Sequence, residues 1–157
     1  MSQLSLRNRL APWFVWGAGL LLAFEVGGGI YEHLVLDQAW PSNLALIQPS
    51  HGGANRAPFW IVVHTLLTIT LLAALWASWR NATLRRRVAW TLGIHVALRA
   101  WTFAYFIPAA LRFEAAQTLL PDEARTWVLL SPIRTAATLV ALVILWRPGD
   151  SVRAGQA

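Results

Sequence analysis

The chain has 157 residues, of which 57% are hydrophobic and 13% charged, with a mean hydropathy of +0.49. A soluble domain carries about 25% charged residues, so this composition argues against a soluble globular fold and against disorder, and makes the lipid bilayer the natural solvent. There is no cysteine and no lysine, which removes disulfides, thiolate metal sites, thiol nucleophiles, lysine Schiff bases and the phosphate-binding lysine of a P-loop. The formal charge of +6 rests on 13 arginines. They gather at the ends of apolar segments instead of forming a basic patch, so no nucleic-acid partner is expected.

In chain order, Arg7 and Arg9 precede a first apolar segment over 13–36. It starts like a signal peptide, but Glu25 interrupts it and no small-residue cleavage site follows, so an uncleaved span is expected. Gly19, Ala23 and Gly27 recur every four residues and, together with Gly28 and Gly29, give the first helix a smooth face suited to close packing. A loop over 37–57 follows, with Pro41, Pro49, Gly52, Gly53 and a solvated His51. The second span covers 58–79. A tight arginine-rich turn over 80–87 leads to the third span, 88–111, with Pro108 near its end, and a polar connection over 112–125 leads to the fourth, 126–146. Pro108 and Pro132 are expected to bend or end helices. Each span has about the 20 residues needed to cross the hydrocarbon. The predicted fold is an all-α, integral-membrane four-helix bundle, with residues 1–157 forming a single transmembrane domain.

Arginine placement sets the orientation. Arg7, Arg9, Arg80, Arg85, Arg86, Arg87, Arg147 and Arg153 fall on one side, Arg56, Arg112 and Arg125 on the other, where Asp37, Glu114, Asp122 and Glu123 dilute them. Both termini are therefore expected inside and the longer loops outside. Abundant arginine, alanine and leucine without lysine fit a G+C-rich bacterial genome, and a bacterial inner (plasma) membrane is the expected location. Trp13, Trp16, Trp76, Trp79, Trp90 and Trp146 are expected as anchors at the inner surface, Trp60 and Trp127 at the outer one.

The spans nevertheless keep Glu25, Glu32, His33, His64, His95, Arg99 and Arg134. Each ionisable group at mid-membrane costs at least about 2.5–3.5 kcal/mol unless it faces a partner or a wet cavity, so the set points to an interior polar site. Helical spacing puts Glu25 with Glu32, His64 with Thr68, His95 with Arg99 and Thr102, and Ser131 with Arg134 and Thr138 on single faces. At 1.5 Å per residue from the outer ends, Glu32 lies about 6 Å deep, His64 about 9 Å, Arg134 about 12 Å, Glu25 and Arg99 about 17 Å, and His95 about 24 Å. This order predicts a funnel open to the outside, with Glu25 paired to Arg99 near the midplane and Glu32, His64 and Arg134 clustered above. The competing reading is that interhelical ion pairs only fix register. His33 is expected to serve the surface, and His95 to bond Thr91. No metal or haem is expected, since no His-x3-His or Glu-x2-His pair occurs. The alternatives weighed are a haem on His33 and His64 and a mononuclear metal on Glu25, Glu32 and His64.

The later spans read His95-x3-Arg99-x-Trp101-Thr102-x2-Tyr105-Phe106-Ile107-Pro108, then Trp127-x3-Ser131-x2-Arg134. With the glycine-rich first span and the long first loop, this resembles the small four-span membrane proteins grouped with anthrone oxygenases. The resemblance implies oxidation of an anthrone- or quinol-like aromatic by molecular oxygen without a cofactor. In that picture His64 or Glu25 is the base, Arg99 and Arg134 stabilise the oxyanion, and Trp101 and Tyr105 stack on a flat substrate. Glu32, His95 and Thr102 complete the expected substrate-binding set. Two other classes fit the same residues: a binding or transport protein for an amphipathic compound, with a homo-oligomer supplying symmetry, and an accessory subunit of a membrane complex.

Overall fold

The computed structural model describes residues 4–147; Arg153, counted above for orientation, lies outside them. Four helices are long and apolar enough to cross a membrane, and no strand occurs among the described residues. The first span is α1 (Leu4–Tyr31), continued by a π-helical turn over Glu32–Leu36. The second is α2 (Ala57–Ala77). The third joins α3 (Ala82–Trp101), a π-helical turn over Thr102–Phe106 and α4 (Ile107–Ala115) in one rod, and the fourth is α5 (Pro121–Trp146). Helices are the outcome because lipid offers backbone groups no partner, so each span must bond its own.

The third span runs beyond the predicted 88–111 at both ends, and the fourth starts before the predicted 126 but ends at the predicted 146, which cuts the predicted 112–125 connection to 116–120. Two local causes are visible. The Asn81 side chain accepts the Leu84 N–H at 3.0 Å and starts α3 before the expected boundary. Pro121 sits in the first turn of α5, where a missing N–H costs nothing. Neither Pro108 nor Pro132 ends its helix. The π-turn directly before Ile107 and Pro108 loosens the ladder where the proline ring would meet a carbonyl.

The spans form a ring in which α1 packs on α2 and α5, and α3 packs on α2 and α5. α1 and α3 are therefore diagonal. The glycine face packs closely at three of its points: a Cβ on Gly19 would collide with Trp146, one on Gly28 would crowd Phe59 and one on Gly29 would collide with the Thr135 side chain, whereas one on Gly27 would meet nothing within 4 Å. At Gly19 and Gly29 the fourth span comes too close to the first to admit a larger residue. Arg87 donates to the Arg147 carbonyl, which ties the third span to the end of the fourth. Trp16 and Trp146 lie 5.6 Å apart at this same arginine-rich end.

Two apolar clusters fill the interior. Toward the arginine-rich end, Ala18, Leu22, Leu67, Leu71, Val88 and Leu145 are among the residues that pack together. At the other end the loop over 37–56 folds inward through three 3-10 turns and inserts Trp40, Leu44 and Ile47 against Phe106, Phe113 and Trp127. Gly52, at φ +81°, closes the last of these turns in the left-handed region. The Gln48 amide donates to the carbonyls of Phe113 at 2.8 Å and Ala116 at 2.9 Å, satisfying the end of α4. The predicted outward funnel is thus covered by this loop. Trp127, expected as a surface anchor, is 5% exposed and belongs to the core, because α5 starts earlier and carries it below the interface. The inner-belt tryptophans Trp13, Trp16, Trp76, Trp79, Trp90 and Trp146 are exposed as expected.

Candidate functional site

Between the two apolar clusters lies a polar layer. Glu25, Glu32 and His95 are buried, as are Thr91, Ser131 and Thr138, and His64 and Thr68 on α2 are half-buried, so the polar stripes turn toward the interior.

The centre of the layer is a carboxylate–imidazole pair. His64 Nδ1 bonds Glu25 Oε1, and Trp60, one turn earlier on α2, stacks on the imidazole at 5.2 Å. With Nδ1–H given to the carboxylate, Nε2 is the basic nitrogen. The expected Glu25–Arg99 ion pair is replaced by this one. The reason lies in lateral order: α2 adjoins α1, whereas Arg99 stands on the diagonal helix. Arg99 remains within Coulombic range of Glu25 and His64.

A second strand of the network descends from His64. Thr68 Oγ donates to the His64 carbonyl at 2.7 Å and is 2.9 Å from His95 Nε2. Because the hydroxyl proton is already committed, Nε2–H of His95 donates to Thr68, and His95 Nδ1 is a bare acceptor. That atom is buried and has no partner. His95 does not bond Thr91 as expected; the Thr91 hydroxyl donates to the Ala141 carbonyl at 3.2 Å.

The expected upper cluster of Glu32, His64 and Arg134 does not form as one contact group. Glu32 accepts from Trp60 Nε1 at 3.0 Å and lies 3.9 Å from Arg56. Arg134 lies over the Phe106 ring, 3.6 Å from its centroid, and reaches Ser131 Oγ at 3.4 Å. His33 is not a surface residue: Nδ1 donates to Asp37 at 2.9 Å and Nε2 meets the Thr135 hydroxyl at 3.2 Å. Asp37 also accepts from Trp40 Nε1 at 2.8 Å, pinning the loop to the bundle. The haem alternative on His33 and His64 loses its geometry here, since both His33 nitrogens are engaged. The metal alternative fares likewise, because Glu32 serves Trp60 while Glu25 serves His64; among the described residues no group of three acidic or imidazole ligands converges.

Both arginines retain bare donors. Arg99 Nε and Nη1 and Arg134 Nε are buried without a hydrogen-bond partner, and neither residue has a carboxylate within 4.0 Å among the described residues. Unsatisfied buried donors are costly and call for an acceptor from outside the chain.

Trp101 and Tyr105, expected to stack on a substrate, instead pack edge-on against Phe106 at 5.3 and 5.0 Å. The Thr102 hydroxyl turns back to the Leu98 carbonyl at 2.8 Å. The π-turn causes the change. The buried row Val88, Thr91, His95, Leu98 would continue at position 105 in a regular helix, but the inserted residue gives the place to Phe106. Trp60, Phe106 and Asp37 have site roles beyond those expected of them. The i, i+4 spacing of Trp60 and His64 signals the first; Phe106 carries no such signal, because the register shift has no local signature.

No protein family, curated protein or solved structure matches the chain.

Proposed function

We propose that the protein is a membrane-embedded, cofactor-independent oxygenase acting on a hydrophobic aromatic of the anthrone or quinol type, in a bacterial inner membrane. The observation that carries the reading is the Glu25–His64 pair, buried at the carboxylate and half-buried at the imidazole, with a basic Nε2 and the bare donors of Arg99 within Coulombic range of the pair. A carboxylate that orients an imidazole is the arrangement used for proton abstraction, and unpaired guanidinium donors suit the oxyanion that abstraction creates. The His64 side chain keeps 19% of its surface exposed, which leaves a bilayer-dissolved molecule a way to reach it.

In the proposed reaction, His64 takes a proton from the acidic ring CH2 and Glu25 stabilises the imidazolium. The resulting carbanion, its charge delocalised onto an oxygen facing Arg99, passes an electron to O2, and the two radicals combine to a peroxide. The imidazolium returns its proton, and the hydroperoxide loses water to leave a carbonyl. One substrate and one O2 give one quinone and one water.

Oxygen uptake by the purified protein in lipid with an anthrone tests this. The wild type should consume one O2 per substrate, and Arg99→Leu should lower turnover by about 10²–10³-fold with helical content unchanged. Equal turnover in the variant would remove the assigned role. A second reading, a binding protein for an anionic or carbonyl-bearing amphiphile, is favoured by the same bare donors; ligand retained without oxygen uptake would select it.

A further inference from the structure

The arginine-rich end of the bundle carries a groove unconnected with the interior polar layer. It lies where α2 gives way to α3, has a volume of about 610 Å³, and is walled by Leu75, Trp79 and Ala82, with Thr83, Arg85 and Arg86 contributing its polar part. That volume lies within the range of pockets that hold small molecules, about 300–1,000 Å³.

Its charge is unbalanced. Among the described residues the acidic side chains are Glu25, Glu32, Asp37, Glu114, Asp122 and Glu123, and none lies at this end of the bundle. Arg85 donates to the Trp79 carbonyl at 2.9 Å and stacks on the Trp79 ring at 5.2 Å, contacts that hold its guanidinium in place without neutralising it. Arg86 is exposed and has no ion-pair or hydrogen-bond partner among the described residues. Among the described residues nothing supplies the counter-charge, a role open to an anionic ligand.

Position determines which anion is available. The exposed rings of Trp76, Trp79 and Trp90 mark this level as the membrane–water interface, where aromatic belts sit. A groove here, open to lipid and lined by apolar carbons below fixed guanidinium groups, matches a molecule with a phosphodiester above two acyl chains. Basic pockets between membrane helices on the cytoplasmic side recognise such headgroups.

We propose that this groove is a binding site for an anionic phospholipid, the phosphate held by Arg85 and Arg86 and the upper acyl chain lying along Leu75 and Ala82.

The test is native mass spectrometry of the full chain released from bilayers of equal parts phosphatidylglycerol and phosphatidylcholine. Wild type should retain phosphatidylglycerol preferentially. Each arginine removed should weaken the preference about fivefold, so Arg85→Gln with Arg86→Gln should lower it about 25-fold. Arg112→Gln, at the opposite end and paired with Glu123, serves as the control for folding and net charge and should leave the preference intact. Glycerol 3-phosphate in solution should not displace the lipid. Equal retention of both lipids by the wild type, an undiminished preference in the double variant, displacement by glycerol 3-phosphate, or a lipid-free dimer using this face would each overturn the assignment.

Discussion

Glu25 is held by a histidine on the adjacent helix and not by the arginine at its own depth. Depth counted from span ends ranks residues along the membrane normal but says nothing about which helices are neighbours, and that missing coordinate decided the partner. Thr68 shows how finely the layer is satisfied. Its single hydroxyl both donates to the His64 carbonyl and accepts from His95. Thr68→Val keeps the shape and leaves buried His95 without a partner on either nitrogen, so it should destabilise the protein by about 1–3 kcal/mol. Thermal unfolding in detergent checks this; an unchanged midpoint would mean that His95 finds a replacement bond. The seven ionisable residues of the spans were legible as a set because the bilayer makes each one expensive. Their pairing was not, and neither was Trp60's double role as donor to Glu32 and platform for His64.

The elements themselves were readable from apolar run length, and the errors lie at their ends and in two π-turns. Asn81 as a cap and Pro121 as a first-turn residue were present in the sequence, but both lie outside the hydrophobic core of their spans, where counting apolar residues stops. The π-turn at Thr102–Phe106 leaves no trace in composition, yet it moves Phe106 under Arg134 and turns Tyr105 aside. The prolines and glycines of the loop over 37–56 signal a connection and nothing more; its apolar residues Trp40, Leu44 and Ile47 cover the bundle. Gln48 fastens that cover to the end of α4. Gln48→Leu should cost about 1–3 kcal/mol by removing the donor of the Ala116 carbonyl and leaving the Phe113 carbonyl only the long bond from the Ala116 N–H at 3.4 Å. Hydrogen exchange should rise across 37–56 while α2 remains protected. Uniform exchange in variant and wild type would show that the apolar anchors suffice.

At the scale of the whole molecule, four spans return the chain to the side on which it started, and from the arginine bias we propose that this side is cytoplasmic. The absence of cysteine offers a direct check. A single cysteine at His51→Cys should react with a membrane-impermeant maleimide from outside intact cells, and one at Arg80→Cys only after permeabilisation. The reverse pattern would invert the bundle. The central claim concerns the polar layer enclosed between two apolar clusters, with its imidazole base and bare guanidinium donors acting as one reaction centre. The most direct test is anaerobic mixing of an anthrone with the protein in lipid, followed by admission of oxygen while the quinone and dissolved O2 are recorded together. The wild type should form quinone and consume oxygen one for one, and His64→Gln, with unchanged helical content, should slow both by about 10²–10⁴-fold. Wild-type protein no faster than empty lipid, or a His64→Gln variant as fast as wild type, would contradict it.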